Sequence, residues 1–273
     1  MSLTAPQIRQ RKRRHGSEPL VMVTAYDEPG ARYVAAAGVD FLLVGDSVAN
    51  VVLGQADTLH VTVEEIAHHV RAVAAAAPDA HIVADLPWLS YHVSESDTVR
   101  NAAVLIRAGA HSVKLEGGAN RVAMVRALIN AEIPVMGHIG LTPQSVLAMG
   151  GFKVQGKTKA AAELLVADAQ SLQEAGVFCL VIEGVPSEVG RRVTEALEIP
   201  TIGIGAGPDT DGQVLVFHDL LGLSGRPVAK FVRRYADIGA QITDAVSRFA
   251  ADVRSLNFPA EAETYPTPSE LLD

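Results

Sequence analysis

The feature that most constrains this chain is a repeat of short Val/Ile/Leu-rich runs separated by Ala-rich stretches with helical spacing. Eight runs occur, at Leu20–Ala25, Phe41–Gly45, His81–Leu86, Ser112–Gly117, Val135–Gly140, Cys179–Gly184, Thr201–Ile204 and Val214–Phe217. Runs that are apolar at nearly every position suit strands buried on both faces, as in parallel sheets. Eight such strands alternating with helices over about 200 residues match a (β/α)8 TIM barrel. The competing architecture, an open doubly wound sheet, requires a Gly-rich dinucleotide turn after its first strand. Here the first run continues into Ala25-Tyr26-Asp27-Glu28-Pro29, which has no such turn. The barrel is the expected fold.

Helix signals fall between the runs. Glu28–Ala37 carries Ala and Val on one face, and Thr62–Ala77 opens with Thr62-Val-Glu-Glu65, a capping-box pattern. Lys159–Ala175 stops at Gly176, where a left-handed C-cap suits glycine. Thr4–Arg14 predicts a leading helix that closes the barrel bottom or packs on a neighbouring subunit. Lys230–Leu256 predicts a long amphipathic helix with Phe231, Ile238, Ile242 and Phe249 among its apolar positions. Residues 1–256 are therefore expected to form one catalytic barrel domain. Asn257–Asp273, with Pro259, Pro266 and Pro268, is expected to be an exposed tail.

Composition narrows the function classes. Of 273 residues, 48% are hydrophobic, too many for a disordered chain. No apolar stretch reaches the roughly 18 residues that a membrane-spanning helix requires, and the charged N-terminus lacks the apolar core of a signal peptide. A single cysteine, Cys179, excludes an internal disulfide and fits a reducing cytoplasm. The 23 Lys and Arg against 31 Asp and Glu leave a net charge of −8, which argues against nucleic acid as a partner. The one basic cluster, Arg9 to Arg14, reads as a solvated helix face.

In a barrel, reactive groups stand at the C-terminal ends of the strands. Those ends carry Asp46 and Ser47, Asp85, Lys114 and Glu116, His138, and Glu183, on five consecutive strands. Any one carboxylate alone could be a helix cap or half of an ion pair. Four on adjacent strand ends repel one another unless something cationic gathers them. Lys114 supplies one charge, and a divalent ion would supply the rest. Oxygen donors without clustered Cys or His suit a hard ion such as Mg²⁺. Asp46, Asp85 and Glu116, from three neighbouring strands, form a plausible metal set. Lys114, on the same strand face as Glu116, could hold a substrate carboxylate with help from Ser47. Glu183, farther round the barrel, is the candidate general base. His138 reads either as a packed, hydrogen-bonded residue or as part of the substrate site. Gly203-Ile-Gly-Ala-Gly-Pro208 departs from a dinucleotide fingerprint and fits close backbone approach better than phosphate binding. Cys179 opens a strand at the end away from the rim and is an unsuitable nucleophile.

Ordered motifs then become recognisable: Val21-Met-Val-Thr-Ala-Tyr-Asp27, Leu43-Val-Gly-Asp-Ser47, Ala84-Asp-Leu-Pro87, Val113-Lys-Leu-Glu-Gly-Gly118, His138-Ile-Gly-Leu-Thr-Pro-Gln-Ser145, Gly150-Gly-Phe-Lys-Val-Gln-Gly156 and Ile202-Gly-Ile-Gly-Ala-Gly-Pro208. Over about residues 4 to 256 the chain resembles the ketopantoate hydroxymethyltransferase family. The resemblance implies a phosphoenolpyruvate mutase/isocitrate lyase-like barrel that is Mg²⁺-dependent. It implies transfer of a hydroxymethyl unit from 5,10-methylenetetrahydrofolate to 3-methyl-2-oxobutanoate, giving ketopantoate for pantothenate synthesis. It implies a metal site at Asp46, Asp85 and Glu116, an oxo-acid site at Asp46, Ser47, Asp85 and Lys114, and a proton acceptor at Glu183. It also implies a homodecamer. Trp88-Leu89, His60 and Gln55-Ala56 depart from the usual family pattern, which bears on pocket shape and not on reaction type. Two rival readings remain: a Mg²⁺-dependent lyase of the isocitrate lyase type, whose loop Cys has no counterpart here, and a non-catalytic oxo-acid binder.

Overall fold

The computed structural model describes residues 2–76, 79–225 and 228–268. Eight strands, β1 (Leu20–Thr24), β2 (Phe41–Val44), β3 (His81–Asp85), β4 (Ser112–Glu116), β5 (Val135–Gly140), β6 (Cys179–Glu183), β7 (Thr201–Ile204) and β8 (Gly212–Leu215), follow one another round a closed barrel. Every neighbouring pair is parallel, and β8 returns to β1 with Gly212 opposite Leu20.

The continuous apolar runs resolve into two faces. Met22, Phe41, Leu43, Val83, Met136, Val181 and Ile202 fill the barrel interior together with Ala5 and Ile8 from the N-terminal helix. Leu42, Val44, Ile82, Val113, Leu115, Ile139, Leu180 and Ile182 instead meet the surrounding helices through residues such as Ile66, Leu105, Leu128 and Leu172. Both faces are dry, so alternation of polarity along the strands is suppressed.

Three helices lie close to their expected bounds, at Glu28–Ala36, Val63–Ala76 and Lys159–Ala175. Ala77, the expected end of the second, lies outside the described residues. Thr62 and Glu65 form the expected capping box, with Thr62 N donating to Glu65 Oε2 at 2.7 Å and Glu65 N donating to Thr62 Oγ1 at 3.2 Å. Gly176 ends its helix at φ 110°. The last strand differs from expectation. It begins at Gly212 and ends at Leu215, and Phe217 starts a short helix. Pairing with β1 sets this register, because Leu20 N donates to the Asp211 carbonyl at 3.0 Å. Apolarity alone had favoured Val214–Phe217.

The N-terminus forms a short helix at Ala5–Arg9 and a 3-10 turn at Arg13–His15. The reading of the basic cluster as a solvated face is corrected at Lys12, which is 1% exposed. Lys12 Nζ donates to the Thr194 carbonyl at 2.7 Å, the Ile199 carbonyl at 3.0 Å and Asp211 Oδ2 at 2.8 Å. Arg9 reaches the Val177 carbonyl, and Arg13 reaches those of Pro208 and Thr210. Carbonyls at the closed end of a barrel need donors, and this run supplies them. At the same end, buried His81 donates from Nδ1 to the Leu3 carbonyl at 2.7 Å and accepts at Nε2 from Ser112 Oγ at 3.0 Å. Burial lowers its pKa to about 4.

Two compact units divide the chain: residues up to Phe217 with Ala229–Val232, which hold the barrel, and His218–Val228 with the chain from Arg233 onward. The long C-terminal helix runs from Ile238 to Arg254, shorter than the expected Lys230–Leu256. Tyr235 N and Ile238 N donate to the carbonyls of Leu220 and Leu221, so the chain before Ile238 is paired outside a helical ladder. Residues 257–268 are exposed, and 269–273 lie outside the described residues. Among the described residues no helix is long and apolar enough to cross a membrane.

Candidate active site

Strand register builds the site. Asp85 is paired with Lys114, Glu116 with His138, and Gly140 with Glu183, so chemistry-bearing side chains stand side by side around the rim. Asp46, Asp85, Lys114, Glu116 and His138 are all buried, while Glu183 is partly open. Cys179 lies buried at the far end of β6, and its burial pushes the thiol pKa up.

The contacts are continuous. Asp46 N donates to Asp85 Oδ2 at 2.9 Å, and Lys114 Nζ stands 2.9 Å from Asp85 Oδ1. Lys114 Nζ is also 3.3 Å from His138 Nδ1. His138 lies between two carboxylates, with Nδ1 3.4 Å from Glu116 Oε1 and Nε2 3.3 Å from Glu183 Oε2. Ser47 Oγ shares a 2.8 Å hydrogen bond with Tyr26 OH. All the residues expected from the strand ends are therefore brought to one rim. The Gly203–Pro208 loop shows the expected close approach, since a Cβ on Gly207 would lie 2.5 Å from Ser187 Cβ.

Electrostatics follow from this crowding. Burial, then the charges of Asp85 and Glu116, raise the Asp46 pKa to about 8. Burial also raises Asp85, against the pull of Lys114. Burial pushes Glu116 up as well, but His138, Lys114 and the Gln144 N–H outweigh it and hold the carboxyl below its usual value. Burial would lower Lys114, yet the charges of Asp85, Glu116 and Asp46 raise it and keep the ammonium form. For His138, burial and Lys114 act downward, while Glu116 and Glu183 raise the pKa to about 9. His138 is thus an imidazolium whose Nδ1–H faces Glu116, so Lys114 beside it is a like charge and not a donor to it. Raised Asp46 and Asp85 side by side mark a site short of positive charge.

The donor set fits a hard cation chemically. Asp85 Oδ1 and Glu116 Oε1 are buried without an aligned hydrogen bond, although Lys114 is within ion-pair distance of the former and His138 of the latter. Such oxygens are costly to leave unsatisfied. Among the described residues, no three His, Cys, Asp or Glu side chains are already grouped as a metal site. Lys114 Nζ, 2.9 Å from Asp85 Oδ1, supplies positive charge beside that carboxylate.

Two residues escaped the strand-end reading. Gln144 follows β5, and its Nε2 donates to Asp46 Oδ2 at 2.8 Å. Tyr91 lies beyond β3, and its hydroxyl donates to Gln144 Oε1 at 2.7 Å. Gln144 belongs to the His138–Ser145 motif, which was the one signal available for it.

The model of the family described as ketopantoate hydroxymethyltransferase matches residues 2–261. The chain belongs to this family. It is 52% identical over 269 residues to a 3-methyl-2-oxobutanoate hydroxymethyltransferase from Koribacter versatilis (strain Ellin345), covering 98% of this chain and 90% of that protein. With the same-named protein of Syntrophomonas wolfei it is 50% identical, covering 99% and 98%. Among solved structures, phosphoenolpyruvate phosphomutase from Streptomyces platensis subsp. rosaceus shares the fold, with TM-score 0.60, 16% identity and coverage of 97% and 92%. Phosphonopyruvate hydrolase complexed with oxalate and Mg²⁺ does so with TM-score 0.58, 13% identity and coverage of 99% and 94%. As a member of this family, the chain is an enzyme of hydroxymethyl transfer to 3-methyl-2-oxobutanoate. The lyase and non-catalytic alternatives are not favoured.

Proposed function

We propose that this rim binds 3-methyl-2-oxobutanoate beside Lys114 and Ser47, with Glu183 as the base that removes the C3 proton. The observation that carries the reading is the convergence of Asp46, Asp85, Lys114, Glu116, His138 and Glu183 within one linked set of contacts. Lys114 keeps its positive charge in the buried pocket and offers it to the substrate carboxylate. Ser47, directly after Asp46, is held by Tyr26 OH at 2.8 Å. His138 Nε2 stands 3.3 Å from Glu183 Oε2 and fixes the position of that side chain. Asp46, Asp85 and Glu116 would hold Mg²⁺, which when bound supplies Lewis-acid stabilisation of developing enolate charge. The oxygen-only donors support that assignment, as do the two buried oxygens that lack an aligned hydrogen bond, Asp85 Oδ1 and Glu116 Oε1.

The one-carbon donor in this reading is 5,10-methylenetetrahydrofolate. A C–C bond forms between the substrate C3 and the one-carbon unit, water supplies the hydroxyl group, and both C–N bonds that tie that unit to the folate break. The C3 proton and the remaining water proton end on the two folate nitrogens, releasing tetrahydrofolate and ketopantoate. A homodecamer in the cytoplasm belongs to the same reading, supported by family membership and a single buried cysteine.

The test is ketopantoate formation from the two substrates with and without a chelator, together with C3 hydrogen exchange in D₂O without folate. Glu183→Gln should abolish exchange and leave oxo-acid binding nearly intact. Full exchange by that variant would remove Glu183 from the role.

A further inference from the structure

Gln144 sits in the turn Pro143–Ser145, outside the barrel strands, and is 4% exposed. Every polar group of its side chain is engaged. Nε2 donates to Asp46 Oδ2 at 2.8 Å and to the Leu86 carbonyl at 3.0 Å, while Oε1 accepts from Tyr91 OH at 2.7 Å. Its backbone N–H donates to Glu116 Oε2 at 3.0 Å. The Tyr91 hydroxyl in turn accepts from Glu116 N at 3.1 Å, and Tyr91 is fully buried. One residue thus ties the carboxylate after β2 to the carboxylate ending β4, with its own orientation fixed from β3.

These bonds each occupy one oxygen of a carboxylate. Glu116 is pinned through Oε2, while its buried Oε1 has no aligned hydrogen bond and faces the His138 ring at 3.4 Å. Asp85 is pinned through Oδ2 by Asp46 N–H, while its Oδ1 has no aligned hydrogen bond and faces the Lys114 ammonium at 2.9 Å. A buried amide network is stabilising only when every member is satisfied, and an apolar side chain would fill the space at less risk. Directed donors that occupy one oxygen of a carboxylate and present the other are what orient ligands for a cation.

We propose that Gln144, braced by Tyr91, is a positioning residue that sets Asp46 and Glu116 for a divalent cation. The inference rests on the metal assignment made under the proposed function. Gln144→Met keeps side-chain length and the backbone N–H but removes the three side-chain hydrogen bonds. Tyr91→Phe removes only the hydroxyl. Both proteins, stripped of metal, are titrated with Mn²⁺ by electron paramagnetic resonance and with Mg²⁺ by calorimetry.

Gln144→Met should weaken cation binding by about 10- to 100-fold, and Tyr91→Phe should shift it the same way by a smaller factor. Excess Mg²⁺ should restore much of the C3 exchange rate, a recovery that a general folding defect would not give. Wild-type protein that binds neither ion would sink the metal assignment and this inference together. Wild-type binding with both variants within roughly twofold would overturn the positioning role alone and leave the metal assignment standing. Should Gln144→Met fail to fold, Tyr91→Phe decides by the same criterion.

Discussion

His138 Nε2 lies 3.3 Å from Glu183 Oε2 and holds the proposed base from within the barrel. The pair is within ion-pair range but is not aligned as a hydrogen bond, since Nε2 has no such partner. Its contribution is therefore mainly charge and position. His138→Gln keeps a polar side chain but loses the positive charge between Glu116 and Glu183. Exchange of the substrate C3 hydrogen should fall on the order of tenfold or more, as for loss of a residue that orients a functional group. Exchange unchanged from wild type would show that Glu183 needs no such support.

Lys114 serves two partners in this account, Asp85 and the substrate carboxylate. Lys114→Met leaves Asp46, Asp85 and Glu116 with one fewer cation in a buried pocket. Breaking a buried pair typically costs about 3–5 kcal/mol, so urea unfolding of metal-free protein should show a loss of that order. Oxo-acid affinity, measured separately by calorimetry on folded protein, should fall by roughly 10- to 100-fold, the equivalent of one charge-assisted hydrogen bond. Unaltered affinity would place the substrate carboxylate elsewhere.

His81 predicts a pH dependence unrelated to catalysis. Its Nδ1–H to Leu3 and its acceptance from Ser112 require the neutral ring, and burial lowers its pKa from 6.5 to about 4. His111, whose ring centre is 5.4 Å away, accepts from Ile82 N and is also shifted downward by burial. As pH falls below 6.5 the unfolded chain takes up the His81 proton before the folded one. The stability tied to the neutral ring is full above about pH 6.5 and is lost progressively toward pH 4, amounting to at most about 3 kcal/mol. His81→Gln supplies a donor and an acceptor that do not titrate. The stability difference between wild type and variant should therefore shift in the variant's favour over that interval. A constant difference would show that His81 does not titrate on unfolding.

The parts legible from the chain were those with a one-dimensional signal. Strands buried on both faces appear as continuous apolar runs, and Asp85, Glu116 and Glu183 stand out because each is a charge closing such a run. Gln144 and Tyr91 carry no charge and lie on connections. Their importance exists only once residues 98 positions apart, Asp46 and Gln144, meet in space. Gly212 was missed for a related reason, because its membership of β8 is decided by Leu20 and not by its own polarity. Lys12 was misread because a cation within a basic run looks the same in sequence whether its end is in water or beneath a barrel.

The two ends of the barrel contrast sharply. Lys12 and Asp211 form an ion pair 2.8 Å long with both side chains buried. Asp211 also accepts from Arg13 N and from Thr201 N and Oγ1, so the carboxylate ties the N-terminal segment to β7. Lys12→Met would strand the charge of Asp211 and leave the Thr194 and Ile199 carbonyls without this donor. The expected loss of stability is about 3–5 kcal/mol, read by urea unfolding. Conserved roles at the bottom of such barrels concern stability, whereas chemistry sits at the opposite end. The fraction that remains folded should therefore keep its C3 exchange rate and its oxo-acid affinity. A Lys12→Met protein of normal stability but reduced exchange would reverse that division of labour.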